Sequence, residues 1–187
     1  MAQKIIVSRP SLQHLAETLD KHTNEKFAAQ REAKVAKEWG DLSENAEYKA
    51  SKEKFRLAGR LQQRVGRELR RLADDGYIVV DPLDWARAPG EPKQAEVGVV
   101  VRVSQGGIAD DFLIAGAKDR HLDEETSLTA VPYTAPLGQA LINQTAPKKV
   151  IAEIAGEKRT LLIESLRRPT IEEIVRLYPE LSMEAEG

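Results

Sequence analysis

Cysteine is missing from all 187 residues. That excludes a disulfide framework and any thiolate metal site. Long apolar runs are missing as well: no stretch approaches the roughly 20 residues needed to span a bilayer. The opening MAQKIIVSRP holds too short an apolar segment for a secretory signal. A soluble cytoplasmic protein with no membrane partner is the expectation. The histidines form no cluster, no nucleophile stands beside a base, and no glycine loop could cradle a phosphate. Hydrolysis by this chain alone is therefore not expected.

Charge, by contrast, is plentiful. Charged residues make up 31% of the chain, and the net charge of −2 hides an asymmetry. Between Lys49 and Arg71 there are nine Lys or Arg against two Glu. Just before that basic run lies an acidic segment, Gly40 to Tyr48, reading GDLSENAEY. A basic stripe beside an acidic point is more informative than the near-neutral total.

Helical periodicity dominates the first 75 residues. Leu12, Leu15, Leu19, His22, Ala29, Ala33 and Ala36 recur at heptad-like spacing, predicting a helix from about Pro10 to Trp39 with Ser8 or Ser11 as its cap. Gly40 suits a helix stop. A second helix then runs to about Asp74, with an apolar stripe of Ala46, Ala50, Leu57, Leu61, Val65, Leu69 and Leu72. Its cations, Lys49, Lys52, Arg56, Arg60, Arg64, Arg67 and Arg71, stand about 3.7 residues apart, close to a helical turn, so they form one nearly straight row. The two helices read as an antiparallel hairpin roughly 45 Å long with GDLSENAEY at its tip.

Beyond Tyr77–Val80, read as a strand, the pattern changes. The prolines Pro82, Pro89 and Pro92 mark a linker. Strands are expected at Val97–Val103, Asp111–Ala115 and Leu128–Tyr133. A hairpin closes over Val150–Ile154 and Thr160–Leu166. Thr170 and Glu173 form a capping-box pattern that starts a terminal helix. The fold class is α+β: a helical hairpin at 1–80, a linker at 81–95, a small antiparallel sheet at 96–168, and a tail at 169–187.

The carboxylates of the acidic segment admit two readings. Asp41 followed three residues on by Glu44 is itself a capping-box spacing, and both charges favour a helix N-terminus, with Ser43 competing for the cap. The same spacing also places both side chains on one helix face, free to meet a ligand. The basic row is likewise either a solvated face or a phosphate-binding stripe.

A resemblance adds to these readings. With the flanks Lys37-Glu38-Trp39 and Lys49-Ala50-Ser51-Lys52-Glu53, the segment GDLSENAEY resembles, over about 20 positions, the signature of the Gre transcript-cleavage factors of bacterial RNA polymerase, nearer the GreA branch. The resemblance implies an antiparallel coiled coil carrying an FKBP-like, polymerase-binding C-terminal domain. It implies a partner, bacterial RNA polymerase, whose secondary channel admits the hairpin when the nascent RNA 3′ end has been extruded. Asp41 and Glu44 would then help hold a Mg²⁺ ion shared with the polymerase active site, which the free protein does not bind stably. Lys37 and Lys52 match basic positions of the family, and Tyr48 matches an aromatic one that either stacks on a base or closes the hairpin. Lys49, Arg56 and Arg60 complete the candidate contacts to RNA or polymerase. Two alternatives compete: a channel-binding regulator that does not promote cleavage, and a peptidyl-prolyl isomerase. The first is disfavoured by the intact acidic pair. The second is disfavoured by the scarcity of aromatics, chiefly Phe112 and Tyr133, in the C-terminal region.

Overall fold

The computed structural model describes residues 4–38, 46–119, 121–122 and 128–185. The chain divides into two compact units, one of residues 12–76 and one combining residues 1–11 with 77–187.

The first unit is a pair of 30-residue helices, α1 (Arg9–Glu38) and α2 (Ala46–Asp75). Ser8, rather than Ser11, caps α1: its Oγ accepts from the Ser11 backbone N–H at 3.2 Å. The helices run antiparallel, since Lys26 of α1 reaches Gln62 of α2 while Glu32, further along α1, meets Lys54, earlier in α2. The buried residues of α2 are Ser51, Ala58, Val65 and Leu72, an unbroken period of seven. This differs from the stripe expected from hydrophobicity. Val65 and Leu72 hold, but Ala46, Ala50 and Leu57 are exposed, and Leu61 and Leu69 are only half-buried. On α1 the matching seam residues nearest the turn are Ala29 and Ala36, both buried. The seam therefore shrinks in side-chain size from Leu72 towards Ser51, leaving small buried residues on both helices towards the end of α1 and the start of α2. His22 keeps the seam-side place expected of it, its Nδ1 2.9 Å from Glu25 Oε2.

In the second unit β1 (Ile5–Ser8) pairs in parallel with β2 (Tyr77–Val80). The main sheet contains β3 (Val100–Gln105), β4 (Ile108–Ala115), β5 (His121–Leu122), β6 (Leu128–Pro132), β7 (Lys148–Ile154) and β8 (Glu157–Arg167), in the order β5-β6-β4-β3-β8-β7. It is antiparallel throughout except between β4 and β6, which run parallel. Two tight turns use left-handed backbone: Gly106-Gly107 joins β3 to β4, and Ala155-Gly156 joins β7 to β8, with Ala155 at φ 53.

Strand alternation sends side chains to both faces of this sheet, and each face carries a core. One face gathers Val99, Val101, Val103, Ile114, Leu161 and Ile163 beneath Leu141 of helix α4 (Pro136–Leu141). The other gathers Val100, Leu113, Ala115, Leu128 and Ala130. The cover of that second face corrects the sequence-based organisation. Residues 81–95 are not a bare linker: they carry helix α3 (Pro82–Arg87), capped by Asp81, which buries Leu83 and Trp85. Nor does the tail stand apart. Helix α5 (Ile171–Leu177), a 3-10 turn (Pro179–Leu181) and α6 (Ser182–Ala185) follow, and Ile174, Leu177, Tyr178 and Leu181 join the same core. The Trp85 and Tyr178 rings meet edge to face, centroids 6.3 Å apart.

Polar contacts pin this layer. The Thr170–Glu173 capping box forms as its sequence predicts, and Glu173 also receives Arg167 at 2.7 Å. Burial works to raise the Glu173 carboxyl, but the Arg167 guanidinium and the Thr170 backbone N–H outweigh it and hold the group below the usual carboxylate range. A fully buried carboxylate, Asp119, accepts from Ser8 Oγ at 2.5 Å, from Ser11 Oγ, and from the Gly116 backbone N–H at 2.8 Å. It thereby anchors the first turn of α1 within this unit. Burial, with Asp119 close by, pushes the Tyr178 hydroxyl well above its ordinary pKa.

Candidate functional site

The candidate site lies where α1 gives way to α2. Asp41 and Glu44 fall outside the described residues, which stop at Glu38 and resume at Ala46. The other candidates are described. Lys37 is exposed in the last turn of α1, and Tyr48 is half-buried in the first turn of α2. Lys52 Nζ lies 5.7 Å from the centre of the Tyr48 ring, within cation–π range. The ring thus has one cationic neighbour from its own helix.

Helix geometry gathers the basic residues. Lys49, Lys52, Arg56 and Arg60 line one cleft of about 410 Å³ on the face of α2. Lys37, on the other helix, does not line it. Arg64, Arg67 and Arg71 continue the exposed row away from the turn. Among the described residues, no ion pair neutralises any of Lys49, Arg56, Arg60, Arg64, Arg67 or Arg71. Lys54 is different: it stands off the row and donates to Glu32 Oε2 at 3.0 Å. The sequence reading missed Glu53, which lines the basic cleft and is its one carboxylate. Its position one residue beyond Lys52 was the available signal.

Among the described residues the row has no ion-pair partner, and Glu53 is the one carboxylate that lines its cleft. Its length, Lys49 to Arg71, is roughly 33 Å at 1.5 Å per residue. Among the described residues, no three His, Cys, Asp or Glu side chains come together as a metal set. Asp41 and Glu44 are two oxygen-donor residues, which suits Mg²⁺ as a partial set, because that ion is commonly held by one or two carboxylates with waters and phosphate oxygens.

Residues 5–75, which span β1, α1 and α2, match the family model of the N-terminal domain of the GreA and GreB transcription elongation factors. This part of the chain is similar to the Gre factors. The matched stretch ends where α2 ends, so the exposed row Lys49–Arg71 lies wholly inside it. Among solved structures, the chain is similar to GreA factor homolog 1 of Thermus thermophilus at 13% identity, covering 88% of this chain and 99% of that one, with a TM-score of 0.34. The homolog from Thermus aquaticus gives 12% identity, 89% and 99% coverage, and a TM-score of 0.35. Likeness at that level assigns no function. Comparison with the curated proteins gave no match. Among the described residues, no helix is long and apolar enough to cross a membrane.

Proposed function

We propose that this chain is an accessory factor of bacterial RNA polymerase that stimulates cleavage of the nascent RNA when its 3′ end has been extruded. The observation that carries the reading is the exposed cation row, without an ion-pair partner among the described residues, which follows Asp41 and Glu44 in the sequence inside a stretch that matches a transcription elongation factor domain. In this account the hairpin enters the polymerase's secondary channel. Lys49, Lys52, Arg56 and Arg60 bind phosphate oxygens of the extruded RNA or facing acidic surface, and Tyr48 keeps Lys52 close to the row. Lys37 contributes from the other helix. Asp41 and Glu44 supply carboxylate oxygens to a Mg²⁺ ion shared with the polymerase, which provides the remaining ligands and the catalytic machinery. Such an ion stabilises attacking and leaving oxygens during phosphodiester hydrolysis. The second unit serves as the docking body on the polymerase surface.

The shrinking seam supports the same reading. Small residues at Ser51, Ala58, Ala29 and Ala36 keep the hairpin thin in the half that would enter a channel. The test is a stalled, backtracked polymerase complex incubated with Mg²⁺ and the purified protein. Shortening of the transcript from its 3′ end, dependent on this chain, is the expected result. Transcripts of unchanged length at saturating protein would refute the assignment.

A further inference from the structure

The main sheet ends on one side in β7, and among the described residues no strand pairs with its outer edge. Such an edge is a template for a further strand, and folded proteins commonly blunt it with bulges, prolines or charges. Strand β7 has neither bulge nor proline: its 7 residues pair with β8 in one unbroken register. Val150 and Ala152 face the core beneath α4. Lys149, Ile151 and Glu153 alternate with them and point outward, Ile151 being 67% exposed. Leu162 of β8 pairs with Lys149, so it stands diagonal to Ile151 on the same outer face. The edge does carry charge, but of both signs, placed symmetrically about Ile151. Neither charge is closed within the chain: among the described residues Lys149 and Glu153 have no ion-pair partner, although Glu153 lies opposite Lys158 of β8.

We infer that a second copy of this chain lays its β7 antiparallel against this one, joining the two main sheets edge to edge about a two-fold axis at Ile151. The charge pattern selects that occupant. In this register Lys149 of each copy stands opposite Glu153 of the other, and Ile151 stands opposite Ile151. On the buried face the larger Val150 meets the smaller Ala152. On the outer face Ile151 and Leu162 of both copies make one apolar strip across the axis, flanked by the two Lys149–Glu153 pairs. A slip of two residues would set a charge against Ile151 and break both pairs, so the register is specified as well as the partner. An edge contact of one short strand per copy is small, which makes the dimer weak and dependent on concentration. The inference does not rest on the proposed function.

Sedimentation equilibrium of the full chain over a wide concentration range is the test. The expected mass rises with concentration from the 20.8 kDa of one chain towards twice that value. Lys149→Glu sets two carboxylates against Glu153 of the other copy, and Glu153→Lys sets two lysines against Lys149. Each variant alone is expected to dimerise about tenfold more weakly, since two attractive cross-strand pairs become repulsive. Mixed in equal amounts, the two variants are expected to pair with each other as well as the wild type does. Recovery on mixing reads the contact between copies and is not produced by a change inside one chain. A second measurement uses the absence of cysteine: Ile151→Cys is expected to cross-link into dimers on mild oxidation, and Ile108→Cys, at a position 71% exposed, is not. A wild-type chain that is monomeric at every concentration overturns the inference. So does a dimer insensitive to both charge reversals, a mixture no tighter than its separate variants, or equal cross-linking from positions 108 and 151.

Discussion

Removing Arg56 and Arg60 together should change how engagement with a backtracked polymerase complex depends on salt. Both guanidinium groups are exposed, line the same cleft as Lys49 and Lys52, and have no ion-pair partner among the described residues. Cations in that state release counterions from a phosphate backbone when they bind it. For single strands the logarithm of affinity falls by about 0.7 per contact for each logarithmic unit of salt. Four contacts give a slope near −2.8, or about a fiftyfold loss between 50 and 200 mM salt. Arg56→Gln with Arg60→Gln should make the measured slope shallower by about 1.4, leaving roughly a sevenfold loss over the same interval from the remaining pair. The two glutamines keep much of the aliphatic stem and disturb no buried contact, so helix content should hold. Binding would be followed by fluorescence anisotropy of a labelled chain titrated with the complex at several salt concentrations. An unchanged slope would refute the reasoning and return these cations to a solvated face.

Four further outcomes follow from the packing. Gly98 holds φ +90, and a Cβ there would come within 2.5 Å of the Trp85 ring; Gly98→Ala should lower stability by about 2–4 kcal/mol from backbone strain and overpacking, read by urea unfolding. Glu173 titrates lower in the folded chain than in the unfolded one, so its contribution is present at neutral pH and is lost as pH falls through the folded value; Glu173→Gln should flatten the acid side of the stability profile. Ala58 is 5% exposed in the seam, so Ala58→Leu should cost about 1–3 kcal/mol by forcing the helices apart, whereas Lys54→Ala, breaking only an exposed ion pair, should cost less than about 1 kcal/mol.

Both long helices, their antiparallel pairing and the cation row were legible because each rests on a long, repeated period. Near the turn the α1 side of the seam was legible too, in the small residues Ala29 and Ala36, but the α2 side was not. A hydrophobicity count selects Leu57 and Leu61, but close helix approach selects Ser51 and Ala58, which scarcely register as apolar. The supposed linker misled for a related reason. Pro82 reads as a breaker, yet a proline behind Asp81 starts a helix, since its absent N–H is needed by no partner there and the aspartate caps the turn. That Asp-Pro pair was the overlooked signal. The parallel β4–β6 pairing and the buried role of Asp119 depend on contacts between distant segments, which periodicity does not encode. Of the candidate site, Lys49, Lys52, Arg56 and Arg60 line one cleft, while Asp41 and Glu44 lie outside the described residues.

Those two carboxylates are the centre of the functional account, and one measurement reaches them directly. Backtracked complexes carrying an end-labelled transcript are incubated in Mg²⁺ with wild-type chain or with Asp41→Ala/Glu44→Ala, at concentrations adjusted to equal occupancy of the polymerase. The account predicts rapid shortening with the wild type and loss of that stimulation with the variant, although the variant remains helical and bound. Equal cleavage by both chains at equal occupancy would contradict it.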